Sequence, residues 1–130
     1  MRYALLIYTP ESSEPSPPDV LKAVMDGYNA FTTHVRDRGA YEGGEALDST
    51  NTATTVRVRD GKTLTTDGPY AETKEALGGF YIVEAADLDE AITYAAMIPG
   101  AARGAIEVRP IFDWAAAAAD AAATGSAGAS

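Results

Sequence analysis

Asp67, Tyr70, Glu72 and Lys74 bring two carboxylates, a phenol and an ammonium onto one short stretch that opens with Asp67-Gly68-Pro69. Pro69 has no N–H and cannot continue a central strand, so a loop is expected from Asp67, holding Tyr70, Glu72, Lys74 and Glu75 close together. Loops carried on a rigid sheet are where function concentrates. Asp67 is the candidate catalytic residue. Burial beside Tyr70 or Tyr81 would raise its pKa into the range of a general acid or base. The architectural alternative makes Asp67 an Asx-turn residue that does no chemistry. Tyr70, Glu72 and Lys74 are candidate ligand contacts: Glu72 and Lys74 could hold a ligand or close over it as a lid. On a solvated loop the same groups would only form surface ion pairs with Arg57 and Arg59, worth about 0–1 kcal/mol. Arg57 is a further candidate, because its forked donors suit an anion. Tyr28, on a helical stripe, could donate a hydrogen bond or simply fill the core.

Other chemistries are excluded by what is missing. There is no cysteine, hence no disulfide, thiolate metal site or cysteine nucleophile. A single histidine, His34, rules out a multi-histidine metal site within one chain, and its helical phase points it to the surface. No Walker loop, Rossmann fingerprint or nucleophile elbow is present, so no cofactor and no metal are expected. Nineteen acidic against ten basic residues give a net charge of −9, which argues against nucleic acid as a partner. The apolar run after Met1-Arg2 is too short for a signal peptide or a membrane span, so a cytoplasmic protein is the default.

The elements that must position these groups can be read in order. With 130 residues, 46% of them hydrophobic, the chain suits one domain with a true core. Residues 3–8 (YALLIY) form an unbroken apolar run that reads as a central strand buried on both faces. Ser16-Pro17-Pro18-Asp19 resembles a helix start with a capping serine, after a polar, Pro-rich loop over residues 11–18. Leu21, Val24, Tyr28, Phe31 and Val35 then make one apolar stripe, and Gly39 fits the left-handed position after the helix. Residues 40–47 predict a weaker strand, in which Gly43-Gly44 suggests a bulge or a close backbone approach. Residues 53–59 alternate and return through Asp60-Gly61, a hairpin signal, into residues 62–66. Residues 79–84 read as a second doubly buried strand. Asp87-Leu88-Asp89-Glu90 is a capping box opening a helix with Leu88, Ala91, Ile92 and Ala95 inward. Pro99-Gly100 stops it, and residues 105–112 form a last strand, which Pro110 assigns to an edge or a strand end. Beyond Trp114 an alanine-rich tail predicts a short helix over residues 113–123 and a flexible terminus.

This order is an α+β, ferredoxin-like βαββαβ plait with an extra β-hairpin, both helices lying on one sheet face. Two strands apolar on both faces imply that the second face is covered as well, most simply by another copy of the chain in a homodimer.

With Thr66-Asp67-Gly68-Pro69-Tyr70-Ala71-Glu72-Thr73-Lys74-Glu75, Leu77-Gly78-Gly79-Phe80-Tyr81, Asp87-Leu88-Asp89-Glu90-Ala91 and Val108-Arg109-Pro110 in place, the chain resembles the YCII-related proteins, and among them the DGPF-domain group. The opening strand and residues 53–57 resemble it too, so the likeness spans residues 2–112. Tyr70 stands where the name-giving motif has Phe. The resemblance implies a YCII-related/DGPF domain over residues 1–113, an Ala-rich tail over 114–130, and a dimeric α/β barrel. It also implies an acidic site residue at Asp67, paired in some relatives with a histidine whose place here falls near Tyr28. One relative is a dehydrochlorinase of a chlorinated hydroxyquinol, and DGPF members often accompany extracytoplasmic-function sigma factors. Two expectations follow. One is a small-molecule pocket at the sheet face of a homodimer, with lyase-like acid–base chemistry at Asp67. The other is a regulatory or interaction protein without chemistry, linked by analogy to a sigma factor.

Overall fold

The computed structural model describes residues 1–12 and 16–124. Its centre is β1 (Arg2–Pro10), which pairs antiparallel with β5 (Glu75–Glu84) on one side and β6 (Ala105–Pro110) on the other. With β2 (Tyr41–Ala46) on β5, the sheet runs β2-β5-β1-β6, compatible with the ferredoxin-like plait. The two apolar runs are therefore the two central strands, and the Pro110 strand is an edge, as their composition implies. The strand from Gly79 begins earlier than expected: Glu75 already pairs with Pro10, so it belongs to β5 and not to the loop. β6 ends at Pro110, short of Phe112. A bulge interrupts β2 between Tyr41 and Gly43.

Helices α1 (Pro18–Asp37) and α2 (Leu88–Met97) cover one sheet face. Phe31 and Val35 from α1 and Ala91, Tyr94 and Ala95 from α2 are buried with Tyr3, Leu5, Ile7 and Val83. The rings of Phe31 and Tyr81 meet tilted, their centroids 4.7 Å apart. Two expectations about these helices need correction. Ser16 caps nothing: the N-cap is Pro17, without a side-chain cap, and Pro18 opens the helix. The buried face of α2 is rotated towards Tyr94, leaving Leu88 and Ile92 half exposed (49% and 48%). Tyr94 is the larger apolar surface, so turning it inward removes more area from water than Leu88 or Ile92 would. The capping box forms, with Asp87 accepting the Glu90 N–H at 2.9 Å. The carboxylate of Glu90 accepts the Ala86 N–H, one residue before the cap. Gly39 takes φ +71° after α1, and the Gly39 and Ala40 N–H groups bond back to the Arg36 and Val35 carbonyls, a Schellman ending.

The hairpin is β3 (Thr54–Arg59) and β4 (Lys62–Asp67), joined by Asp60-Gly61 with φ +53° and +72°. Both central turn residues lie at positive φ, as a type I′ turn requires. This hairpin forms its own two-stranded sheet and packs on no other described element by more than passing contact. After Pro99 a short helix, α3 (Gly100–Arg103), intervenes before β6. The alanine run forms α4 (Trp114–Thr124), largely exposed; the expected flexible terminus over residues 125–130 lies outside the described residues, as does part of the Pro-rich loop.

On the sheet face opposite the helices, Ala4, Leu6, Tyr8, Phe80 and Ile82 are only half-buried. The doubly apolar strands are thus covered on one face by their own chain and uncovered on the other.

Candidate functional site

The first half of α1 packs loosely, with only Val24 and Gly27 half-buried and Gly27 against Pro99. Leu21 and Met25 of its apolar side are 52% and 56% exposed, and burial is complete only from Phe31 onward. Between the middle of α1 and the sheet lies a cleft of about 500 Å3, within the range of ligand sites. Met25, Tyr28, Asn29 and Thr32 face it from α1, a spacing of three, one and three that keeps them on one side of the helix. Ile7 and Thr9 line it from β1, Tyr81 from β5, and Tyr41 and Glu45 from β2.

The lining is chemically biased. Tyrosine and threonine hydroxyls and one side-chain amide supply hydrogen bonds between apolar walls, and Glu45 is its carboxylate. Among the described residues no lysine, arginine or histidine lines it. Burial pushes the Tyr28 phenol above its ordinary value, as does the neighbouring Tyr81 phenol. The charge of Arg103 and a backbone hydrogen bond at Gly100 pull the other way but do not prevail. Tyr28 therefore keeps its O–H throughout the physiological range. It is a donor and not a base.

Tyr28 is thus the one candidate that lines this cleft. The structure places the others elsewhere. Asp67 ends β4, exposed and paired across the hairpin with Thr54. An Asx turn is closed to it, because the residue two positions on is Pro69, which has no N–H to offer. The turn is held instead by the backbone: Gly68 N–H donates to the Ala53 carbonyl (2.8 Å), and Thr55 Oγ1 donates to the Gly68 carbonyl (2.9 Å). Among the described residues Asp67 lines neither the cleft of Tyr28 nor that of Glu72. Arg57 and Tyr70 do meet, the guanidinium lying 5.4 Å from the ring centroid, but Tyr70 is 80% exposed.

Glu72 lines a smaller cleft of about 300 Å3 with Glu11, Thr50 and Asn51. There the Thr50 N–H donates to Glu11 at 2.8 Å and the Thr50 hydroxyl to its other oxygen, which together hold the Glu11 carboxyl below its ordinary value. Lys74 is exposed, and neither it nor Glu72 forms an ion pair with a described residue. His34 is exposed, its ring edge-on to Tyr94.

Asn29 and Thr32 stand outside the apolar stripe of Leu21, Val24, Tyr28, Phe31 and Val35, so the hydrophobic pattern of the sequence does not mark them. The signal was present: Thr32, four positions after Tyr28, shares its side of the helix, and Asn29, three before Thr32 and four after Met25, borders the same side.

A one-sided α+β plait with a cleft under its first helix defines the class of protein. Within that class, the chain belongs to the YCII-related family: a model of the YCII-related domain matches residues 1–115. It is 37% identical over 114 residues to an uncharacterized protein of Rhizobium meliloti (strain 1021), an alignment covering 85% of this chain and 92% of the relative. Among the described residues no group of acidic or histidine side chains is placed to hold a metal ion, and no helix is long and apolar enough to cross a membrane.

Proposed function

We propose that the protein binds a small, uncharged or cationic aromatic molecule in the cleft beneath α1, and works as a homodimer. The cleft itself carries this reading. It has ligand-sized volume, aromatic walls, several neutral hydrogen-bonding groups, one carboxylate and, among the described residues, no cation in its lining, Arg103 acting on Tyr28 from outside it. The uncovered apolar face of β1 and β5 supports the dimer, since contiguous apolar surface on a folded protein marks a contact site. The lining offers donors and acceptors for orienting a ligand, and its protonated Tyr28 does not act as a base, so binding is favoured over lyase-like turnover at this place. Acid–base chemistry at Asp67 would need a second chain to carry Asp67 to the cleft.

The test is a thermal-shift screen with uncharged phenols and aromatic amides. At 100 times its Kd, a ligand raises stability by about 2.7 kcal/mol. A compound that stabilises the wild type should lose its effect in Thr32→Leu, which fills the cleft, and keep it in Asp67→Asn. A shift that survives Thr32→Leu would remove the cleft as the site. A shift abolished by Asp67→Asn would move the site to the hairpin.

A further inference from the structure

The β3–β4 ribbon has two unlike faces. Cross-strand pairing places Val56, Val58, Thr63 and Thr65 together on one face and Arg57, Arg59, Lys62 and Leu64 on the other. The cationic face is built for water: Arg59 and Lys62 form no ion pair with a described residue, whereas Arg2, Lys22, Arg38 and Arg109 on the body all do. The valine face is built for a surface, yet Val56 and Val58 stand 58% and 60% exposed. An isolated two-stranded ribbon is marginal in water, and β-branched residues on it gain stability only when covered.

Charge and shape together point to the occupant. Arg57, Arg59 and Lys62 against Asp60 and Asp67 leave residues 54–67 at +1, so the remainder of a chain of net charge −9 carries −10. From the ribbon's outer, solvated face these cations steer it at long range towards an acidic body, and that same body would repel a nucleic acid or an anionic membrane. A second copy of this chain supplies the acidic surface. It also supplies an uncovered apolar sheet face of Leu6, Tyr8, Phe80 and Ile82. Under two-fold symmetry each ribbon would cover the face the other chain leaves open, so that both uncovered features of the fold are satisfied by one contact made twice.

We infer that the β3–β4 ribbon is a clasp whose Val56–Val58 face docks on the open sheet face of a second copy of this chain. The inference rests on the homodimer proposed above, and the experiment separates the two. Sedimentation equilibrium over a dilution series is run on the full wild-type chain and on the Val56→Thr/Val58→Thr double variant. Threonine keeps the valine shape and the strand preference, so the ribbon persists, which circular dichroism checks. The expected result is a wild-type dimer whose dissociation constant rises ~10-fold or more in the double variant. In Arg59→Glu/Lys62→Glu it should also rise, and less so at high salt. A wild-type monomer across the series would overturn both the dimer and the clasp. A wild-type dimer with an unchanged constant in the valine variant would overturn the clasp and leave the dimer standing.

Discussion

Tyr28 is where the chemistry of single residues is most informative. Its phenol is half-buried between α1 and the sheet, and burial raises its pKa. The sign of the consequence is fixed by that direction. A group whose folded value lies above its unfolded one contributes fully below the unfolded value, about 10 for tyrosine, and loses the contribution as pH rises through the folded value. Between neutrality and pH 9 the wild type and Tyr28→Phe should differ in melting temperature by a constant amount. Above about pH 10 the wild type should fall faster than the variant. Parallel melting curves up to pH 11 would show that the phenol is not held in its neutral form by the fold. Asp67 shows the opposite case. Its carboxylate is exposed, and the turn beneath it is secured by Gly68 and Thr55 without it, so neither burial nor bonding marks it as activated within one chain.

At the scale of elements, the junction of α3 and β6 leaves Gly104 less room than any other described glycine has. A Cβ built on Gly104 would lie 2.0 Å from the Tyr8 carbonyl oxygen and 2.9 Å from Thr9 Cα. Both are backbone atoms of the central strand and cannot swing aside. Gly104→Ala should therefore cost about 1–3 kcal/mol or more, read as a lower urea midpoint with an unchanged slope. The same junction shows what a sequence does and does not reveal. Pro99-Gly100 announced the end of α2, because proline and glycine act through local dihedrals that any reader can infer. The Asp60-Gly61 turn and the left-handed Gly39 were legible for the same reason, the capping box from its residue types, and the two central strands from their unbroken apolar runs. The close approach of Gly104 to Tyr8 joins residues far apart in the chain, and nothing local records it. The rotated face of α2 was hidden likewise, since Leu88 and Tyr94 compete for burial on the strength of what lies opposite them. The cleft was half legible: Tyr28 was found, but its partners Thr9, Tyr41 and Tyr81 come from three strands that only the fold brings together.

At the scale of the molecule, the core is closed before the tail begins. The buried cluster draws on β1, α1, α2 and β5 and their immediate flanks, and the last of its members in sequence is Ile98. Trp114 is 78% exposed, its ring resting edge-on against Phe112 at 4.6 Å, and Phe112 is itself 62% exposed. A chain ending at Ala115 should melt within ~4 °C of the full chain, because nothing that α4 touches is needed to exclude water from the core. A fall of more than ~8 °C would mean that the helix docks on a partner chain. The sheet order has a consequence for how the molecule is made. Both neighbours of β1 lie late in the chain, Arg2 pairing with Glu84 and Tyr3 with Pro110. Translation runs at roughly 5–20 residues per second, so the most apolar strand of the protein waits some seconds on the ribosome before either partner is synthesised. Through that interval its two hydrogen-bonding edges are open to any passing chain, and shielding them falls to α1, the first amphipathic element to follow it, or to a chaperone.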